Sequence, residues 1–147
     1  MMRYRCTAMT LLLAIAGVCA AENGGQSVVR DGFEIHYAAL GTMDIPAETA
    51  RAVQVTRSAN RMLLVLNAQR ADDAASVRAT AEGTVTNIVG QAKTFEPRVV
   101  EDNGVWYVLA DFRVSGGERL RFDLAVTPEG ASAPIPVRFQ QTFYPPR

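Results

Sequence analysis

The amino-acid sequence predicts an all-β protein: an antiparallel two-sheet sandwich of immunoglobulin-like architecture, with about seven strands and one short helix. Three observations carry that prediction. Leu120, Phe122, Leu124 and Val126 alternate with Arg119, Arg121, Asp123 and Ala125, the period of a strand with one buried face. Asn103-Gly104 and Ser115-Gly116-Gly117 separate neighbouring strand-like runs, and Asn-Gly tolerates the positive φ angles of a tight hairpin. Finally, strand-like runs succeed one another at short intervals with no internal repeat, which favours a sandwich over a small barrel.

The beginning of the chain is read separately. Arg3 and Arg5 precede an apolar run from Ala8 to Ala21 that ends in small residues, the layout of a secretory signal. Residues 1–21 are therefore assigned as a signal peptide cleaved near Ala20 or Ala21, and residues 22–147 as one β-sandwich domain. An uncleaved anchor is the alternative, but the apolar run falls short of the roughly 20 residues a bilayer span needs. Lipidation at Cys19 is disfavoured because Val18, not a small residue, precedes it. Both cysteines, Cys6 and Cys19, fall in the leader, so the mature domain has neither a disulfide nor a thiol nucleophile. The expected address is periplasmic.

Loss of Arg3 and Arg5 lowers the basic count from 15 to 13 against 15 acids. No basic excess is available for nucleic acid, and no polybasic run for an anionic membrane. Neither nucleic acid nor membrane insertion after signal removal is expected.

After a polar leader, the first strand is expected from Ser27 to Leu40, with a break at Asp31-Gly32. Phe33, Ile35, Tyr37 and Ala39 share its buried face, and Glu34, His36, Ala38 and Leu40 the open one. The Ile45 to Ala52 stretch reads as a short surface helix, with Pro46 in its first turn and Asp44 placed to cap it. Met62 to Leu66 is a continuous apolar run, expected as a central strand covered on both faces. Val77 to Thr86 alternates small apolar with polar residues, so a bulky side chain, Trp106 or Phe122, should pack against it. Phe95 to Glu101, with Pro97, suits an edge strand, and Val105 to Phe112 an interior one. The last strand spans Ile135 to Tyr144, ahead of Pro145-Pro146.

Catalytic patterns are missing. His36 is the only histidine, which excludes a multi-histidine metal site, and no Gly-x-Ser-x-Gly elbow accompanies it. Asp72 and Asp73 form an acidic pair, too few oxygens for calcium. No phosphate loop or dinucleotide fingerprint is present. No cofactor or metal is expected, and no catalytic residue is assigned. The polar groups of greatest interest stand at two junctions: Arg57, Asn60 and Arg61 before the Met62 run, and Asn87 and Gln91 after Thr86. Gathered at one end of the sandwich they would form a recognition surface. Otherwise the amides satisfy turn backbone and the arginines stay solvated.

Five stretches resemble a bacterial family of exported proteins, the domain of unknown function numbered 4426. They are Gly32-Phe33-Glu34-Ile35-His36-Tyr37, Arg57-Ser58 with Asn60-Arg61, the run from Gly83 to Gln91, the run from Leu120 to Leu124, and Phe139-Gln140-Gln141-Thr142-Phe143-Tyr144. The sequence departs from the pattern at Ala38, where asparagine is expected, and at Val53-Gln54-Val55, where an aromatic followed by glycine is expected. The resemblance implies export by a Gram-negative cell and supplies no activity. The expected function is a non-catalytic module binding another envelope protein or an envelope polymer. The alternatives are an envelope-polymer hydrolase, with His36 and a carboxylate converging in a pocket, and an assembly or chaperone-like role.

Overall fold

Backbone pairing sorts nine strands into two antiparallel sheets in the computed structural model, which describes residues 26–144. The strands are β1 (Gln26–Arg30), β2 (Phe33–Gly41), β3 (Arg61–Arg70), β4 (Ser76–Val77), β5 (Ala79–Asn87), β6 (Arg98–Asp102), β7 (Val105–Arg113), β8 (Arg119–Pro128) and β9 (Ile135–Thr142). The larger sheet runs β1-β2-β3-β7-β6, with β4 on the end of β3; the smaller runs β5-β8-β9. The leader, both cysteines and Pro145-Pro146 lie outside the described residues.

Alternation places one face of each sheet in a shared core. Ile35 and Tyr37 from β2, Leu64 and Leu66 from β3 and Phe112 from β7 meet Val85, Phe122, Leu124 and Val137 from the smaller sheet. Phe122 lies at the centre, stacked on Phe139 at 4.3 Å and tilted against Phe112 at 5.9 Å. Burying such a ring stabilises the fold by about 2–3 kcal/mol. Of the two side chains expected against the small residues of β5, Phe122 is the one that packs there. Trp106 is only half-buried and holds the Arg78 guanidinium over its ring at 5.6 Å.

The continuous apolar run in β3 follows from a second cluster. Leu63 of β3 and Leu109 of β7 point away from the smaller sheet and are covered by Ile45, Ala50 and Val55. That cover is a 3-10 turn (Thr42–Asp44) followed by α1 (Ala47–Ala52). Both faces of the central strands are thus buried, the reason their sequence does not alternate.

Three expectations need correction. The first strand is a hairpin, β1 and β2, because Asp31 and Gly32 both take positive φ, 52° and 81°. Asp44 does not cap α1; Pro46 is its N-cap residue and no side chain accepts from the first turn. The Met62 strand continues to Arg70, because β2 pairs with it along its whole length. A short β4 follows, and at its junction β3 leaves β7. There Asn67 Nδ2 donates to Trp106 O at 2.8 Å while Ser76 Oγ accepts from Trp106 N at 2.9 Å, so side chains fill the gap in the ladder.

Gly83 in β5 has φ of +143°, and a Cβ there would sit 2.2 Å from Asp123 O. The close approach of β5 to β8 requires glycine at this position.

Candidate functional site

The antiparallel register brings the long connections to one end. Arg61 opens β3 opposite Arg113 at the close of β7, Asn87 closes β5 opposite Leu120, and Arg119 opens β8 opposite Thr142. The connections around residues 42–60, 88–97 and 114–118 therefore gather at this end. Asn60 O accepts from Val114 N at 2.9 Å. Ser115 N donates to Glu118 Oε2 at 2.8 Å, and Asn87 Nδ2 to Glu118 Oε1 at 3.4 Å. These bonds tie the two predicted junctions together through the β7–β8 turn.

Within this end the five predicted residues take different parts. Asn87 is consumed by its own turn: Oδ1 accepts from Val89 N at 3.2 Å and Gln91 N at 2.9 Å, while Nδ2 donates to Gln91 Oε1 at 2.9 Å. Gln91 is consumed with it. Asn60 Oδ1 accepts from Ser58 Oγ at 2.6 Å, a local turn contact. Arg57 is exposed and donates to Met43 O at 3.0 Å, which fastens the 3-10 turn. Arg61 lines a cleft, its Nε donating to Asp111 Oδ2 at 2.9 Å and a second guanidinium nitrogen to the same oxygen.

That cavity is an open cleft of about 440 Å³ between the end of the larger sheet and the 92–96 segment. Arg61, Lys93, Thr94, Glu96, Asp111 and Arg113 supply its polar wall, and Phe112 contributes apolar surface. Lys93 Nζ is 2.7 Å from Glu118 Oε1. Burial pushes the Glu118 carboxyl up, but hydrogen bonds from Lys93, Ser115 and Asn87 outweigh it and hold the group below its ordinary value. Opposite charges fixed side by side in a cleft suit recognition of a partner that itself carries both signs.

Lys93, Glu96, Asp111, Arg113 and Glu118 were not anticipated. Asp111 carried a readable signal, as the only charge in the otherwise apolar Val105–Phe112 run. Lys93 and Glu118 did not, because they are 25 positions apart and meet only when β5 pairs with β8.

His36 stands elsewhere, half-exposed on the outer face of β2, with Nε2 3.6 Å from Glu34 Oε1. Among the described residues no group of three or more His, Cys, Asp or Glu is placed to hold a metal. Asp73 is held below its ordinary value by the Ala75 N–H and by Arg70, which accounts for that acidic pair as turn structure. A separate apolar groove of about 290 Å³ lies between α1 and the larger sheet, walled by Leu40, Ile45, Val53, Leu63 and Tyr107. No helix among the described residues is long and apolar enough to cross a membrane.

Comparison with known proteins places this geometry in a family. A DUF4426 protein of Pseudomonas aeruginosa PAO1 shares the fold with a TM-score of 0.73 at 23% identity, over 84% of this chain and 98% of that one. FetP of uropathogenic Escherichia coli strain F11, recombinantly expressed in the periplasm of Escherichia coli, is similar with a TM-score of 0.56 at 15% identity, over 84% and 95% of the two chains. A copper-bound FetP variant gives 0.54 at 16% identity, over 82% and 95%. No curated protein sequence matches this chain. A family model described as a domain of unknown function (DUF4426) matches residues 27–146, and the chain belongs to that family.

Proposed function

We propose that the protein is an exported, non-catalytic binding module of the cell envelope, recognising an envelope protein or an envelope polymer at the end of the sandwich that holds the charged cleft. The observation that carries this is the cleft itself, where Arg61, Lys93, Asp111 and Glu96 line about 440 Å³ at the meeting point of the long connections. Recognition residues concentrate on loops positioned by a rigid scaffold, and these loops are bound to one another by named hydrogen bonds. The non-catalytic reading is supported by His36, whose nearest carboxylate is Glu34 on an open sheet face rather than in either cavity. The periplasmic address is supported by the leader's layout and by the fold shared with FetP, a protein produced in that compartment.

Crosslinking of the tagged protein in its native cells tests this. Glu96 and Arg113 are exposed, so Glu96→Arg combined with Arg113→Glu reverses two of the cleft's charges without disturbing the core. One reproducible partner, protein or polymer, captured by the natural chain and lost with the reversed one is the expected result. Equal capture by both would place recognition elsewhere.

A further inference from the structure

The same end of the sandwich carries a second feature that does not depend on the cleft. Among the described residues, the exposed large apolar side chains are Val29, Met43, Ile88, Val89 and Tyr144. All except Val29 stand at the cleft end, on three different segments. Ile88 and Val89 form the tip of the turn held by Asn87, exposed by 78% and 73%. Tyr144, exposed by 78%, follows Phe143, whose backbone bonds to Gly117 and Glu118 and whose ring packs beside Gly41. Met43 is in the 3-10 turn that continues from Gly41. Four of the five exposed large apolar side chains among the described residues thus lie at one end, a concentration that fits a contact surface.

Charge tells what kind. Arg57, Arg113, Arg119 and Arg121 at this end are exposed and take part in no ion pair among the described residues. Arg51, in the 42–60 connection, is likewise exposed and unpaired, and the exposed carboxylates there without an ion pair are Asp44, Glu48 and Glu96; Asp111 and Glu118 are neutralised by Arg61 and Lys93. Apolar tips that include a tyrosine, ringed by a surplus of arginine, match the boundary between acyl chains and anionic headgroups. We propose that this end docks on an anionic lipid surface, with Ile88, Val89 and Tyr144 entering the headgroup layer and the arginines contacting its phosphates. Separate short tips suit a fluid interface. A protein partner would more naturally meet them with preformed pockets.

The test uses a chain beginning at Glu22, which keeps every residue of both sheets and both apolar clusters. It also lacks Cys6 and Cys19, so an environment-sensitive dye can be attached through Ile88→Cys or, at the opposite end, Asn103→Cys. Vesicles of phosphatidylglycerol should blue-shift the dye at position 88 and leave it unchanged at 103, and phosphatidylcholine vesicles should shift neither. In flotation, Ile88→Asp with Val89→Asp should weaken binding by about tenfold or more. Arg121→Glu should weaken it by about fivefold, and added salt should weaken it further. Val29→Asp should leave it unchanged. No binding to phosphatidylglycerol at low ionic strength, equal shifts at positions 88 and 103, or natural affinity in the doubly acidic variant would each overturn the proposal.

Discussion

The two ends of the sandwich are built differently. At the end away from the cleft, two hairpins close in tight turns set by the backbone: Asp31-Gly32, with φ of 52° and 81°, and Asn103-Gly104, with 50° and 81°. Carboxylates crowd there, with Asp31, Asp72, Asp73, Glu101, Asp102 and Glu129 exposed. At the cleft end side chains brace the connections as well: Thr42 Oγ1 exchanges hydrogen bonds with the Ser58 backbone, and Glu118 accepts from Ser115 in its own turn and from Asn87 across the sheet. Tight turns fix register and leave little to bind with. Longer connections, cross-braced by buried polar groups, can display a cleft, apolar tips and free arginines together.

The largest expected effect lies between the ends, in the core that both share. Phe122→Ala should cost about 3–5 kcal/mol, read as a lower denaturant midpoint, and raise amide exchange at both ends together. Protection surviving at either end would show that the two fold independently.

Glu118→Gln should act on one end. Losing its charge weakens the bonds from Lys93, Ser115 and Asn87, at a cost of about 1–2 kcal/mol, with faster exchange confined to residues 87–97 and 114–118. The folded Glu118 carboxyl is depressed, so its contribution is present above its ordinary unfolded value and disappears as pH falls through the depressed folded one. Stability measured across that acid range should therefore fall less steeply in Glu118→Gln than in the natural chain. An unchanged slope would remove Glu118 as the brace.

Gln54→Gly should raise stability by about 0.5–1 kcal/mol, because Gln54 holds φ at +57°, where only glycine is free of strain. The smallest effect belongs to Asp73→Asn at the far end. Asp73 is half-exposed and its pair with Arg70 is screened by water, so the melting temperature should stay within error. A loss matching that of Glu118→Gln would erase the distinction between the ends.

Much of this architecture was legible in the chain, and the rest fails for identifiable reasons. Period-two alternation located β2, β5, β8 and β9, since each has one buried face. The unbroken apolar runs of β3 and β7 correctly signalled central strands, but nothing local says that α1 covers their outer face. The two polar junctions were found as sequence neighbours, and they do share an end. Their amides, though, are spent on turns, and the cleft is completed by residues distant in sequence. Net charge, for a related reason, says nothing of where charges gather. No basic run exists, yet folding draws Arg57, Arg113, Arg119 and Arg121 to one end from three segments.

The central claim is that recognition belongs to the cleft end. A photo-activatable amino acid placed at Ile88 in one strain and at Asn103 in another tests it directly, with irradiation of living cells and analysis of the adducts. The account predicts adducts from position 88, with lipid or with an envelope partner, and none above background from 103. Adducts from 103 alone, or equally from both, would contradict it.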